Sequence, residues 1–375
     1  HIAESTKMSC VRAIRFDESV YSMDISPDGQ LLAVGTGTEG VILQAPFGHS
    51  LKTVGDEDTI ASCIAFAPAC SSLPLVAFGS FDGRVQVWDY INSACIARLQ
   101  NQPGNAVFHI TFSPNSRLLA MTSNDNSVQL WRTDDWSASL TVLMDAVSWP
   151  FCMSFSCDSR LIATNANNMK LWHILDDTGA ATAHEFAGPV LEAEESPTCL
   201  VFSPVDSKLL ACGSSRGRIV LARVGDSTVK VERKIQGHIF FARSLAFTPC
   251  GQTLASASFD NMVRLWNVAS SACLRVLQGC INSSTGIAFF PNGKQLVSGS
   301  FNDTLRIWTV CAWRGFTHHL FGAPLKAAVF NLMCVRAKLE QGQGLRRSAR
   351  RVMRLPRLPM EVWLLICGQL ALAMA

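Results

Sequence analysis

The fold of this 375-residue chain is decided by residues 244–268, which read SLAFTPCGQTLASASFDNMVRLWNV. Apolar and polar residues alternate in three short runs, which are separated by turn residues at 249–252 and 259–261. A period of two is typical of β-strands, and Gly, Asn, Asp and Pro favour tight turns. A fourth apolar run follows at residues 273–277. This segment therefore predicts four consecutive short strands.

The same pattern recurs along the chain. In most copies a small residue and a proline are followed by polar residues and then by an apolar run. Consecutive markers lie 41–47 residues apart, and periods of this size are typical of propellers, in which each repeat supplies one blade. Seven copies predict seven blades. The marker positions are Pro27, Pro68, Pro114, Cys157, Pro204, Pro249 and Pro291.

Several residues in these copies make the chain resemble the WD-repeat family over roughly residues 9–310. Gly237-His238 has the Gly-His that opens a repeat, and Trp88-Asp89 has the dipeptide for which the family is named. Leu43 and Leu221 stand where tryptophan is expected, so the first and fifth copies are degenerate. An aspartate, or once an asparagine, lies six residues before tryptophan in Asp82/Trp88, Asp125/Trp131, Asp260/Trp266 and Asn302/Trp308.

The resemblance implies a buried hydrogen-bonded network in the sixth copy, formed by His238, Asp260, Trp266 and either Ser256 or Ser258. A buried polar group without a partner costs about 1–3 kcal/mol, so such a network stabilises the fold only when it is complete. The other copies lack members of the set, and we expect them to depend mainly on apolar packing. The corresponding structural residues of those copies are Asp82, Trp88, Asp125, Trp131 and Trp308.

The last copy lacks its fourth strand, because the strand pattern stops shortly after Trp308. Residues 9–14 have the pattern of the fourth strands at residues 94–99 and 272–277. We therefore expect residues 9–16 to pair with residues 305–310 and to close the seventh blade. Closure removes two strand edges that would otherwise be exposed.

The charge distribution separates two parts of the chain. Residues 1–310 carry 22 Lys and Arg against 27 Asp and Glu, a net charge of −5, whereas residues 311–375 carry 10 against 2, a net charge of +8. Apolar residues recur at helical spacing after Pro324 and stop at Gly342, which predicts an amphipathic helix. The expected fold is thus all-β, a seven-bladed WD-repeat β-propeller over residues 1–310, closed by the N-terminal strand and followed by a small, basic, helical tail.

No motif typical of a catalytic site occurs, whether a phosphate-binding loop, a G-x-S-x-G elbow or an H-E-x-x-H helix. Cys311 and the pair His318-His319 are the one candidate metal set, and we interpret them as ordinary residues of a connecting segment. We expect no cofactor, no metal and no enzymatic activity. The 14 cysteines are interpreted as reduced, buried side chains. The acidic groups at residues 56–58 and 192–195 are interpreted as solvated surface.

Three phenylalanines lie in turns, where polar residues are usual. Phe81, Phe259 and Phe301 each precede the turn aspartate position, and Asn124 has this place in the third copy. In the WD-repeat family this position lies on the upper face of the propeller. We expect an aromatic patch that binds a peptide or protein partner; the alternative is that each phenylalanine packs inward as a local plug. The arginines that could add charge to this surface are Arg84, Arg216, Arg218 and Arg264.

Residues 355–375 resemble the opening helix of an F-box, because residues 358–362 read LPMEV and apolar residues follow in register. The arginine-rich residues before them also resemble a suppressor-of-cytokine-signalling box. Both families recruit cullin ubiquitin-ligase scaffolds. The residues that would contact such an adaptor are Leu358, Pro359, Val362, Leu365, Ile366 and Leu370.

Taken as a whole, the sequence favours a non-enzymatic scaffold that binds proteins or peptides in the cytoplasm or nucleus. A substrate receptor of a cullin-type ubiquitin ligase is the first alternative. A membrane-surface or nuclear scaffold acting through the basic tail is another, because eight Lys and Arg at 336–357 precede the apolar residues 362–375. The tail could instead pack under the propeller. Nucleic acid is not expected, because no aromatic residues alternate with the arginines and the propeller is acidic.

Overall fold

The chain forms β-strands and turns throughout the part that the structure describes. The computed structural model describes residues 10–16, 19–36, 40–44, 50–55, 60–100, 105–143, 152–165, 169–174, 181–185, 191, 195–225, 228–278, 284–300 and 303–310. No helix occurs among them, and hence none with the length and apolar character to cross a membrane. The described strands associate into seven antiparallel sheets of four strands each.

Each sheet is one blade of a propeller. β2–β5 form blade one, β6–β9 blade two, β10–β13 blade three, β14–β17 blade four, β18–β21 blade five and β22–β25 blade six, while β26–β28 form blade seven together with β1. In chain order the strands are β1 (Cys10–Arg15), β2 (Ser22–Ile25), β3 (Leu31–Gly35), β4 (Gly40–Gln44), β5 (Ser50–Val54), β6 (Ala61–Phe66), β7 (Leu75–Ser80), β8 (Arg84–Asp89), β9 (Ala94–Gln100), β10 (Val107–Phe112), β11 (Leu118–Ser123), β12 (Ser127–Arg132), β13 (Ala138–Leu143), β14 (Met153–Phe155), β15 (Leu161–Asn165), β16 (Met169–Ile174), β17 (Ala181–Glu185), β18 (Pro197–Phe202), β19 (Leu209–Ser214), β20 (Arg218–Val224), β21 (Val229–Gln236), β22 (Ala242–Phe247), β23 (Thr253–Ser258), β24 (Met262–Asn267), β25 (Cys273–Gln278), β26 (Ser284–Phe289), β27 (Gln295–Ser300) and β28 (Thr304–Thr309).

The N-terminal strand β1 completes the last blade. It runs antiparallel to β28, with Cys10 opposite Trp308 and Arg15 opposite Thr304. The Phe16 N–H extends the pairing by donating to the Asp303 carbonyl oxygen at 2.8 Å. The pairing expected from the sequence is therefore confirmed, and blade seven joins the two ends of the propeller.

The innermost strands form a continuous ring. β2, β6, β10, β14, β18, β22 and β26 each contact the innermost strand of the next blade, and β26 contacts β2. Their side chains line a central channel with a volume of about 350 Å³. The expectation of an all-β propeller is confirmed.

Apolar side chains fill the interfaces between neighbouring blades. Leu245 and Phe247 of blade six pack against Ile219 and Leu221 of blade five. Leu221 is fully buried, so leucine at this tryptophan position keeps the packing while it lacks the indole N–H. A corresponding apolar cluster lies at each of the six remaining junctions between blades, including the junction between blades seven and one.

The cysteines differ from the expectation in one respect. Every described cysteine is a free thiol, and Cys63, Cys199 and Cys212 are buried. The expectation of burial is wrong for Cys70, Cys250 and Cys273, which are exposed. The first two lie in turns at the edge of a blade. Cys273 lies on an outermost strand, which no further strand covers.

Residues 311–375, which include the predicted helix, Cys311, His318, His319 and the F-box-like segment, lie outside the described residues. The domain boundary after Val310 therefore stays a prediction.

Candidate protein-interaction surface

A hydrogen-bonded chain of side chains crosses blade six. Trp266 Nε1 donates to Ser256 Oγ at 2.8 Å, and Ser256 Oγ lies 2.7 Å from His238 Nε2. On the other side of the imidazole, His238 Nδ1 lies 2.9 Å from Asp260 Oδ2, which also accepts from Arg264 at 2.9 Å. All the members that the sequence names for this blade are thus brought together, with Ser256 rather than Ser258 as the bridging hydroxyl.

The protonation state of His238 decides which groups donate and which accept in this series of hydrogen bonds. Burial lowers the pKa of His238 more than the neighbouring Asp260 raises it, so the imidazole is neutral at pH 7. Burial raises the pKa of Asp260, but His238, the Met262 N–H and Arg264 outweigh that effect and lower it. A neutral imidazole with its proton on Nδ1 donates to Asp260 and accepts from Ser256, whose oxygen accepts from Trp266.

Other blades contain parts of the network. Trp308 Nε1 donates to Ser298 Oγ, and Trp88 Nε1 donates to Gln86 Oε1, each at 2.9 Å. Trp131 Nε1 is buried and has no hydrogen-bond partner within the described part of the chain. These blades depend more on packing than blade six does.

The turn aspartates of blades two and three bind backbone N–H groups. Asp82 Oδ1 accepts from the Arg84 N–H at 3.0 Å, and Asp125 Oδ1 accepts from the Ser127 N–H at 2.9 Å. Asp125 Oδ2 also accepts from Asn105 Nδ2 at 3.0 Å, so an amide donates where blade six has an imidazole. Asn105 was not predicted from the sequence, although Gly104-Asn105 before β10 resembles Gly237-His238 before β22.

The upper face is the face that bears the loops between blades and the turns between second and third strands. Phe81 is exposed there, with 39% of its surface accessible, and its ring lies nearly perpendicular to the Tyr21 ring at a centroid distance of 5.6 Å. Asn124 is half-buried, and its backbone N–H donates to the Ala106 carbonyl oxygen at 3.0 Å. Phe301 lies outside the described residues.

Phe259 lies beside the most exposed apolar segment of the upper face. Its ring is half-buried and packs against Phe241 at 5.8 Å. The loop before β22 exposes Ile239, Phe240 and Phe241 by 78%, 56% and 46%. This exposed loop was not predicted from the sequence, because three consecutive apolar residues are typical of the start of a strand. We call Tyr21, Phe81, Phe259 and Ile239–Phe241 the upper aromatic surface.

The exposed loop has a fixed backbone. The Phe259 N–H donates to the Phe241 carbonyl oxygen at 3.2 Å, and Ser258 Oγ donates to the Phe240 carbonyl oxygen at 3.0 Å. Gly217 lies against the same loop with a φ of +76°, and a Cβ there would come within 2.4 Å of the His238 carbonyl oxygen. Only glycine therefore fits at this approach.

Most arginines suggested for this surface are engaged with acids. Arg84 pairs with Asp82 at 3.4 Å and Arg264 with Asp260 at 2.9 Å. Arg218 lies 3.4 Å from Glu195, whose side chain is only 1% exposed. The interpretation of the acidic group at 192–195 as solvated surface is therefore wrong for Glu195, because the residue is enclosed beside its cation. Arg216 is exposed.

Comparison with known proteins agrees with this architecture. The family described as WD domain, G-beta repeat matches residues 8–43, 93–132, 229–267 and 271–309. This chain contains WD repeats. Each family match begins at or before the outermost strand of one blade and ends within or at the end of the third strand of the next, as expected for a WD-repeat ring in which β1 completes the last blade.

Several curated proteins are similar to this WD-repeat chain. It is 27% identical over 215 residues to apoptotic protease-activating factor 1 of Danio rerio, covering 57% of this chain and 16% of that protein. It is 28% identical over 219 residues to Elongator complex protein 2 of Saccharomyces cerevisiae, covering 52% and 26%. It is 26% identical over 193 residues to WD repeat-containing protein SL1-17 of Schistosoma mansoni, covering 51% and 60%. The matches thus span less than two thirds of each relative.

Among the described residues, no group of three or more His, Cys, Asp or Glu is arranged to hold a metal ion.

Proposed function

We propose that this propeller is a non-enzymatic scaffold that binds protein or peptide partners through the upper aromatic surface. The observation that carries the proposal is the exposure of Ile239, Phe240 and Phe241, by 78%, 56% and 46%, on a single loop. Contiguous exposed apolar surface in a soluble domain marks interaction sites, and aromatic residues are enriched among the residues that dominate binding energy.

The fixed backbone of this loop supports the proposal. Hydrogen bonds from Ser258 and from the Phe259 N–H hold Phe240 and Phe241 in place. A binding surface that is already ordered loses little conformational entropy when a partner binds. The relative named Elongator complex protein 2 is, by its name, a component of a complex, which is in keeping with a scaffold.

The plug alternative accounts for part of the surface. Phe259 is half-buried against Phe241, and Phe81 contacts Tyr21, so each turn phenylalanine does pack locally. The same contacts leave a second aromatic ring exposed at both places. We infer that the turn phenylalanines hold the exposed rings in place, and that the exposed rings make the main contacts with a partner.

The experiment compares two double variants in quantitative affinity capture. Ile239→Ser/Phe240→Ser removes exposed apolar side chains from the upper face. Leu274→Ser/Val276→Ser removes exposed apolar side chains from the outermost strand of blade six. Both proteins should unfold at close to the wild-type temperature, and only the first should lose the partners. Equal partner recovery by both variants would contradict the proposal.

A third variant separates the docking role from the plug role. Phe81→Ser/Phe259→Ser/Phe301→Ser should also lose the partners while the protein stays folded. Unfolding of this variant, with partner binding unchanged in Ile239→Ser/Phe240→Ser, would favour the plug alternative.

A role in a cullin-type ubiquitin ligase stays a prediction, because the residues that would contact the adaptor lie in 355–375, outside the described residues. Capture with the full chain and with residues 1–310 tests it: an adaptor recovered only with the full chain supports the ligase role. Flotation with acidic vesicles, with and without residues 340–375, tests the membrane alternative. The cytoplasmic or nuclear location likewise stays a prediction.

A further inference from the structure

A cation in the central channel has no ion-pair partner among the described residues. Arg243, at the start of β22, lines the channel. Within the described residues its guanidinium has no hydrogen bond and no ion pair, unlike Arg218, Arg223 and Arg264, which all pair with carboxylates. A half-buried charge without a partner is costly and is therefore rare in proteins.

Asp24 is the one carboxylate among the described residues that line the channel, and its oxygens accept from the Ile25 and Phe66 N–H groups rather than from Arg243. The titratable groups that line the channel near Arg243 are neutral. Burial raises the pKa of Cys152 and raises that of Cys199 to about 12, so both remain thiols. Burial, together with Arg243, lowers the pKa of His109 to about 4, so this imidazole is uncharged at pH 7. Among the described residues that line the channel, no carboxylate therefore pairs with the guanidinium.

His109, which also lines the channel, adds a second unsatisfied group. Its Nδ1 is buried and has no hydrogen-bond partner among the described residues. A buried polar atom of this kind needs an explanation, because nearly all such atoms in proteins are paired. A small group with acceptor oxygens would satisfy both the arginine and a protonated imidazole nitrogen.

We propose that the upper end of the channel is a binding site for an oxyanion, a phosphate or carboxylate group, held by Arg243 and His109. The channel volume of about 350 Å³ lies within the range of about 300–1,000 Å³ that small-ligand sites have. Arginine binds planar carboxylates and phosphates through paired N–H donors, and a ligand charge would offset the isolated guanidinium. The site is independent of the upper aromatic surface, so either proposal can fail while the other stands.

The test uses the full chain and two matched substitutions. Arg243→Gln removes the channel cation, and Arg275→Gln removes a half-buried arginine from the outermost strand of the same blade. Thermal unfolding is followed while inorganic phosphate or succinate replaces chloride at constant ionic strength. The two anions distinguish a phosphate group from a carboxylate group as the ligand.

A bound anion stabilises the folded state by a free energy that grows with the logarithm of its concentration once this exceeds Kd. We expect the unfolding temperatures of the wild type and Arg275→Gln to rise in this way with at least one anion, and we expect Arg243→Gln to bind it about tenfold more weakly or not at all. A rise shared by all three proteins, or no rise in any, would overturn the proposal.

An NMR titration covers the case in which Arg243→Gln does not fold. In the wild type, the ring signals of His109 should move as the stabilising anion is added, and those of His173, which lies on the third strand of blade four and does not line the channel, should not. His109 signals that stay fixed at saturating anion would contradict the site.

Discussion

His238 Nδ1 lies 2.9 Å from Asp260 Oδ2, in a chain of hydrogen bonds that continues through Ser256 to Trp266. This contact joins the loop before blade six to the turn between its second and third strands. The same two segments carry the exposed Phe240 and the half-buried Phe259. A structural network characteristic of the repeat therefore also holds the surface that we propose to bind partners.

Replacing Ser256 by alanine should destabilise the propeller strongly, although the change removes only one hydroxyl group. The change leaves Trp266 Nε1 and His238 Nε2 buried without their partner, at a cost of about 1–3 kcal/mol for each group. Urea unfolding should show a loss of about 2–5 kcal/mol, against less than about 0.5 kcal/mol for the exposed control Ser270→Ala. A double-mutant cycle with His238→Ala should be far from additive. Additive losses would mean that the two residues do not act together.

Gly217→Ala tests whether the loop geometry depends on a close backbone approach. The new Cβ would lie 2.4 Å from the His238 carbonyl oxygen and 2.6 Å from that of Phe240, at a φ of +76°. Gly293→Ala is the matched control, with a φ of +65° and the nearest atom 3.6 Å away. The control should cost about 1 kcal/mol from the backbone alone. Gly217→Ala should lower the free energy of unfolding by clearly more than the control does, and it should reduce partner capture. Equal losses of stability in the two variants would show that the backbone at Gly217 does not approach the loop closely.

Asp24 should make stability fall as pH rises. Its carboxylate accepts from the Ile25 N–H at 2.8 Å and, across the boundary between blades one and two, from the Phe66 N–H at 2.7 Å. Burial outweighs these bonds and raises the pKa of Asp24 from 3.8 to about 6. A raised pKa in the folded state favours the folded protein below pH 3.8, and this contribution is lost as pH rises through 6.

Wild type and Asp24→Asn should be compared by urea unfolding at pH 4.5 and pH 7.5. The stability of the wild type relative to the variant should decline between the two values by about 2 kcal/mol. An unchanged difference over the same interval would show that burial does not outweigh the two N–H bonds and that the pKa of Asp24 is not raised.

The sequence was sufficient for the repeat and for its closure. The turn at Pro249 to Gln252 is built around Gly251, which has a φ of +70°, and the strand pattern at the N-terminus pairs with the last strand as expected. The turn follows from the local residue pattern, which can be read directly from the sequence. The pairing follows from a last repeat that lacks a strand and would otherwise leave a strand edge exposed.

The composition of the surface was less predictable. Ile239–Phe241 has the hydrophobicity of a strand, and it forms an exposed loop because hydrogen bonds from the neighbouring turn fix its backbone. Glu195 is buried because Arg218 is brought close to it by the fold. The position of Arg243 in the channel depends on how seven inner strands meet, which no local pattern specifies.

Thermal unfolding of two N-terminal truncations tests the closed ring most directly, because the positions of all upper-face residues depend on it. Removal of residues 1–16 deletes β1, and removal of residues 1–9 leaves it intact. We predict that the shorter truncation unfolds at the wild-type temperature. The longer truncation should unfold at least about 5 °C lower, because β28 loses its antiparallel partner and the ring loses its closure. Equal unfolding temperatures for the two truncations would contradict the account.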